Sequence, residues 1–220
     1  MKRRRFSARA VLFDWDGTLV NSYAADSRAY LAMFQALGID WGLDDLARHY
    51  SPDWYRVYRA ARLPRGKWDE ADRLWTRAYQ RENPRLMPGA KEVIRSLERE
   101  FVLGIVTSGN RPRVRKQLRE FGLADYFSAC VCCEDAPKRK PHPAPLRLAL
   151  AHIGIAPGES VYVGDTAEDV EMSRRAGVRP IGVLGPFPTA ERVREARPDL
   201  ILNSIRHLPR HLQRALKPGS

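Results

Sequence analysis

Long apolar runs are missing from this 220-residue chain, and none approaches the roughly 20 residues that would cross a bilayer as a helix. Its start, Met1-Lys2-Arg3-Arg4-Arg5, is basic but carries no apolar stretch of the kind an export signal needs. Cysteine is scarce and confined to Ala129-Cys130-Val131-Cys132-Cys133. A zinc site draws its ligands from separated pairs, and no second pair exists, so these thiols read as free core residues on a strand. With no disulfide framework and no export signal, the expected location is the cytoplasm. Internal repeats and low-complexity tracts are also absent, which excludes solenoids and linker-dominated chains.

What is abundant is positive charge. Lys and Arg number 38 against 26 Asp and Glu, for a net charge of +12. Such an excess can serve nucleic acid, an acidic surface or small anionic substrates. The basic residues are dispersed over helices, and no aromatic-basic recognition motif accompanies them. A nucleic-acid partner is therefore not expected, nor is a membrane one.

Apolar strands alternate with helices along most of the chain. Ala10-Val11-Leu12-Phe13 is a buried strand, and Leu19 to Leu37 has helical spacing through Tyr30, Phe34 and Leu37, with Gly38 at its stop. Further strands are expected at Phe101–Val106, Tyr126–Cys133, Ser160–Val163 and Arg179–Leu184, with a short one at Asp199–Leu202. This alternation predicts an α/β fold, a doubly wound parallel sheet. One block breaks the pattern. From Gly42 to Arg85 there are only helical segments, rich in Trp and Tyr and broken by Pro52, Pro64-Arg65-Gly66 and Pro84. It reads as an inserted all-helical domain over residues 20–87, with the core formed by 1–19 and 88–220. The linkers fall at Val20-Asn21-Ser22 and Arg85-Leu86-Met87-Pro88-Gly89. The aromatics of the insert read as its own core, or in part as a substrate-facing wall.

Polar groups gather where strands end. Asp14 and Asp16 follow the first strand, two apart and so on one side of an extended chain, and Gly17 allows a sharp turn behind them. They are either a solvated strand end or the mouth of a ligand crevice. Thr107-Ser108-Gly109 ends another strand just before a helix, where hydroxyls and N–H groups suit a phosphate or simply cap the helix. Lys140 sits in the Pro-rich loop Lys138-Arg139-Lys140-Pro141-His142-Pro143, able to aim one ammonium at a phosphate and at Asp14. Gly164-Asp165 ends a strand and Asp169 lies one turn into the next helix, as Mg²⁺ ligands or, for Asp169, as a partner of the helix dipole. Chemically, Asp14 is a candidate nucleophile for a phosphoryl group and Asp16 a candidate acid/base. A bound cation and Lys140 are expected to keep Asp14 ionised, leaving Asp16 free to hold a proton.

The four motifs resemble those of the haloacid dehalogenase-like hydrolase superfamily. The first is Val11-Leu12-Phe13-Asp14-Trp15-Asp16-Gly17-Thr18, the second Thr107 after its strand, the third Lys140 in Lys140-Pro141, and the fourth Gly164-Asp165 to Asp169. They occur in order and span nearly the whole chain. The helical insert is similar to the cap of the phosphoglycolate phosphatase-like and β-phosphoglucomutase-like branch. The resemblance implies a phosphatase acting on a small phosphorylated metabolite, phosphoglycolate-like or a sugar phosphate, through an aspartyl-phosphate. It implies catalytic roles for Asp14, Asp16 and Lys140, and phosphate contacts from Asp14, Gly17, Thr107, Ser108, Gly109 and Lys140. Mg²⁺ would be held by Asp14, the main-chain carbonyl of Asp16 and Asp165, with Asp169 in support. A phosphoryl-transferring mutase would use the same set and differ in product. A non-catalytic nucleic-acid binder is suggested only by the net charge, and the intact motifs speak against it. Trp15 is bulkier than the usual Leu or Met, and Cys132-Cys133-Glu134 replaces commoner small residues and Asp. Within the insert, Arg56, Arg59, Arg62, Arg65 and Lys67 are candidate contacts to an anionic substrate, or solvated surface charge. The sequence specifies no oligomeric state.

Overall fold

The first strand decides how the rest is layered. In the computed structural model, which describes residues 8–216, β1 (Ala10–Phe13) is buried along its whole length. The basic run Met1–Arg5 lies outside the described residues. Successive side chains of a strand point to opposite faces. Val11 and Phe13 accordingly enter one hydrophobic layer, and Ala10 and Leu12 the other. A strand buried on both sides needs helices on both sides, and this chain provides them.

After β1 come β2 (Val20–Asn21) and four helices, α1 (Tyr23–Ala36), α2 (Leu43–His49), α3 (Trp54–Ala60) and α4 (Trp68–Tyr79). Then follow β3 (Arg85–Leu86), α5 (Ala90–Leu97), β4 (Val102–Val106), α6 (Arg111–Glu120), β5 (Ala129–Val131), α7 (Ala144–Ile153) and β6 (Ser160–Gly164). The chain closes with α8 (Ala167–Ala176), β7 (Arg179–Val183), α9 (Ala190–Glu195), β8 (Leu200–Leu202) and α10 (Leu208–Leu216). The main sheet has the order β5-β4-β1-β6-β7-β8 and every pairing in it is parallel. Helices α5 and α6 cover the Phe13 face through Val93, Ile94, Val114 and Leu118, while α7 and α8 cover the Leu12 face through Leu146, Leu150 and Met172. This is the expected doubly wound α/β fold. Its strand order reverses at β1, between β4 and β6, which is where such sheets open a ligand crevice.

Helices α1–α4 carry a separate core built on Tyr30, Met33, Phe34, Leu46, Val57 and Tyr58. The block rests on the sheet domain through polar and aromatic contacts. Ser51 Oγ donates to Glu168 Oε1 (3.0 Å), Arg192 donates to the Tyr50 carbonyl (2.8 Å), and the Phe187 ring lies 4.6 Å from that of Tyr50.

Two boundaries differ from the sequence reading. The first helix begins at Tyr23, since Val20 and Asn21 pair antiparallel with Leu86 and Arg85 and zip the two linkers into a ribbon. The strand expected over Tyr126–Cys133 is only Ala129–Val131, because Ala124–Tyr126 forms a 3₁₀ turn and the chain bends after Val131. Of the three thiols only Cys130 is therefore on the strand, and all three are free. No helix among the described residues is long and apolar enough to cross a membrane.

The layering has a measurable consequence. Leu12 is fully buried between the two sheets of helices, whereas Leu43 on α2 is 53% exposed. Leu12→Ala should lower unfolding stability by about 2–5 kcal/mol in urea melts, and Leu43→Ala should change it by no more than about 0.5 kcal/mol. Equal losses would show that the β1 packing does not carry the fold.

Candidate active site

Asp14 follows β1 directly, its N–H donating to the Val163 carbonyl (2.8 Å), so the carboxylate is fixed by two neighbouring strands. Gly17 then turns the chain with φ +81°, and a Cβ there would lie 2.1 Å from Asp165 Oδ2. Only glycine permits both that conformation and that approach. Gly164, in ordinary strand conformation, permits a like approach in the fourth motif, where a Cβ would sit 2.5 Å from the Asp169 carboxyl carbon.

The structure brings Asp14, Lys140, Asp165 and Asp169 together. Lys140 Nζ lies 2.6 Å from Asp14 Oδ1 and 2.8 Å from Asp169 Oδ1, and the ammonium is almost wholly buried. Asp169 uses its other oxygen to close a capping box at the start of α8, accepting from the Thr166 hydroxyl (2.6 Å) and the Thr166 N–H (3.1 Å). Helix capping and charge pairing thus coexist in one side chain. Asp165 accepts from Thr18 Oγ1 (3.1 Å) through Oδ1, and its Oδ2 is buried with no hydrogen-bond partner. Carboxylate oxygens of Asp14, Asp165 and Asp169 all lie within 4.8 Å of one another. One lysine cannot neutralise three buried carboxylates. Burial and the neighbouring carboxylates push Asp165 well above the usual carboxylate range, and burial pushes Asp14 up to about 7 despite Lys140. A buried oxygen without a donor, among other carboxylates, is a donor set that fits a hard divalent cation.

Asp16 lies outside that cluster. Its carboxylate is gripped at both oxygens by Arg113 on α6, at 2.9 and 2.6 Å. Burial opposes ionisation of Asp16, but the Arg113 charge and hydrogen bonds outweigh it and hold the carboxyl below its ordinary range. Arg113 thus favours the ionised form of Asp16, whereas the sequence, with a cation and Lys140 beside Asp14, leads one to expect a proton there. A metal role for Asp16 is left to its main-chain carbonyl. Arg113 also stacks 4.9 Å over the Tyr79 ring of the helical block. The bulky Trp15 braces this arrangement, since its buried indole N–H donates to Gln117 (2.8 Å) one turn beyond Arg113.

Thr107 and Ser108 do not cap α6. Asn110 does, accepting from the Arg113 N–H (3.0 Å), while Thr107 Oγ1 accepts from the Gly109 N–H (2.9 Å). Glu134, one of the departures from the family pattern, accepts from the Arg111 N–H and anchors the same helix start. Thr107, Ser108, Gly109, Asp14 and Asp16 line a pocket of about 390 Å³, walled on its far side by α1, α3 and α4. Cys133 also faces it, and burial beside Glu134 pushes that thiol up to about 12, so it stays protonated. Of the basic residues singled out in the insert, none lines the pocket. Arg56 and Arg59 turn to Asp53, Lys67 to Glu70, and Arg65 to the Trp68 ring. Arg113 and Gln117 were not foreseen. Their signal is slight: they stand one and two turns into the helix that follows the second motif.

Lys140 is the group whose loss the site should feel most. Lys140→Ala leaves Asp14 and Asp169 buried without their counter-charge and should cost about 3–5 kcal/mol near neutral pH. Protonating Asp14, which burial pushes up to about 7, removes its unpaired charge, so the loss should shrink as pH falls from about 8 to about 5. Urea midpoints of both proteins at the two pH values check this, and a loss independent of pH would contradict it.

Comparison with known proteins agrees with this geometry. The model of the haloacid dehalogenase-like hydrolase family matches residues 11–183. Phosphoglycolate phosphatase of Escherichia coli (strain K12) is 31% identical, over 91% of this chain and 90% of its own. Pyrophosphatase PpaX of Bacillus pumilus is 29% identical, over 90% of this chain and 93% of its own. Among solved structures, CbbY from Rhodobacter sphaeroides in complex with phosphate superposes with a TM-score of 0.78 at 25% identity, covering 91% of this chain and 96% of that one. The match runs from β1 to β7 and takes in all four strand-end motifs, so the chain belongs to the haloacid dehalogenase-like hydrolases.

Proposed function

We propose that this hydrolase is a Mg²⁺-dependent phosphatase that transfers the phosphoryl group of a small phosphomonoester to Asp14 and then to water. Residues 20–87 serve as its cap and 1–19 with 88–220 as its catalytic core. The observation that carries the reading is the buried meeting of Asp14, Asp165 and Asp169 around Lys140, with Asp14 lining a pocket that the helical block roofs. Relatives support the substrate class, since one bears the name phosphoglycolate phosphatase and another was solved with phosphate.

Asp14, Asp165 and the Asp16 carbonyl would hold Mg²⁺, with Asp169 in support. When bound, the ion supplies positive charge against the phosphate oxygens and the carboxylates that Lys140 leaves unbalanced. Lys140 holds Asp14 Oδ1, so the other oxygen is the one presented to phosphorus. A bond forms from that oxygen to phosphorus as the bond to the alcohol oxygen breaks, and the departing oxygen takes the proton that the phosphate monoanion brings, passed on through Asp16. Water then attacks phosphorus, Asp16 takes its proton, and the bond to Asp14 breaks to release inorganic phosphate. Arg113 favours the ionised Asp16 that accepts this proton. Thr107 Oγ1 and the N–H groups of the turn that follows it are the groups expected to receive the non-bridging oxygens. The roof keeps bulk water from the aspartyl-phosphate.

Phosphate release from an activated aryl phosphate should require a divalent cation, stop in excess chelator and return with Mg²⁺. Ca²⁺ should substitute poorly, since it tolerates looser and larger coordination. Asp14→Asn should abolish turnover, and Asp16→Asn should lower kcat by about 10²–10⁴-fold. Turnover by purified Asp14→Asn, or in excess chelator, would sink the reading. An isomerised sugar phosphate formed in place of free phosphate would mark a mutase.

A further inference from the structure

The pocket continues past Asp14 into a recess whose walls come from the helical block. Asp26 and Tyr30 of α1, Tyr58 of α3, and Asp72, Trp75 and Tyr79 of α4 line it. The block bears many arginines, yet it contributes no Lys, Arg or His to this lining. The two guanidinium groups that do reach the pocket belong to the sheet domain, and both are engaged. Arg113 is held by both oxygens of Asp16. Arg139 lies 3.8 Å over the Trp54 ring and 4.2 Å over the Tyr55 ring, and 3.7 Å from Asp53.

A phosphomonoester anchored at Asp14 therefore extends its alcohol toward two carboxyl groups and a set of aromatic faces. A second anionic group there would meet carboxyl groups and ring faces and no unengaged cation, which is unfavourable. Aromatic faces with nearby carboxylates attract the opposite kind of group, an organic cation. We propose that this recess is a cation subsite, and that the enzyme selects phosphomonoesters whose alcohol carries a positively charged amine. The assignment rests on the phosphatase reading above and names its substrate class. It sets this chain apart from a relative named for phosphoglycolate, an ester whose alcohol carries a carboxylate.

The state of the two carboxyls agrees. Burial, with Asp16 nearby, pushes Asp26 up to about 8 against the Arg113 charge and the Trp75 indole, so the empty recess favours its protonated form and an ammonium beside it would favour the ionised one. Burial also raises Asp72, although the Tyr58 hydroxyl donates to it at 2.8 Å. An ammonium in the recess would meet these carboxyls with a charge that no side chain of the helical block brings to the lining. The reaction is unchanged: the phosphorus bond to the aminoalkyl oxygen breaks, Asp16 protonates that oxygen, and the amine keeps its charge throughout.

Three esters of nearly equal size separate the alternatives: 2-aminoethyl phosphate, 2-hydroxyethyl phosphate and carboxymethyl phosphate. Phosphate release by the full-length protein with Mg²⁺ should rank them in that order by kcat/KM, the amine exceeding the carboxylate by about 100-fold. Asp26→Asn and Asp72→Asn should each narrow the amine-to-hydroxyl ratio by about tenfold. Because the ratio is internal to each variant, a smaller folded fraction does not alter it. The proposal is overturned if the hydroxyl or carboxylate ester is used as well as the amine, or if neither variant moves the ratio. In that case an aryl phosphate is still hydrolysed and the phosphatase reading stands. Failure to release phosphate from the aryl ester and all three alkyl esters would remove both.

Discussion

One buried ammonium sets the terms of this site. The parallel sheet brings the ends of β1 and β6 side by side, and with them Asp14, Asp165 and, one turn into α8, Asp169. Three carboxylates so close repel one another, and the low dielectric around them magnifies the repulsion. Lys140, reaching in from its Pro-rich loop, is the cation that touches two of them. Its charge is divided between Asp14 and Asp169, and Asp165 Oδ2 is left buried and unpartnered. A divalent cation held there would balance the charge that Lys140 leaves over.

Arg113 is the second counter-charge, and it ties Asp16, the proposed acid/base residue, to the helical block. It grips Asp16, stacks on Tyr79 of α4, and is steadied by Gln117, which the buried Trp15 holds from below. The seating of the block and the geometry of Asp16 therefore share one side chain. The roof and the chemistry are physically linked through contacts that are polar and aromatic rather than a continuous apolar core, which is how a separable layer rests on another.

Much of this was legible in the chain itself. The alternation of Ala10 to Phe13 into opposite layers, the glycines after Asp14 and before Asp165, and the order of the strand-end groups follow from residue type and spacing. The separate core of α1–α4 was visible as aromatics without intervening strands. Other features had no local signature. The Val20–Asn21 and Arg85–Leu86 ribbon is too short for periodicity, and its pairing joins segments far apart in the sequence. Arg113 is one of several arginines in its helix, and only the approach of α6 to β1 distinguishes it. The direction of the insert's arginines was equally hidden, because helical spacing does not say which face meets a pocket until the helices pack. Asn110 rather than Thr107 or Ser108 caps α6 because the turn runs two residues farther than the motif suggested.

The proposed chemistry requires Asp14 to carry the phosphoryl group between substrate and water. The protein, turning over an activated aryl phosphate with Mg²⁺, can be quenched in acid, digested and sequenced by mass spectrometry. The account predicts the added mass of one phosphoryl group on the peptide containing Asp14, localised to that residue. Phosphate release with an unmodified Asp14, or a phosphoryl group on a different side chain, would contradict it.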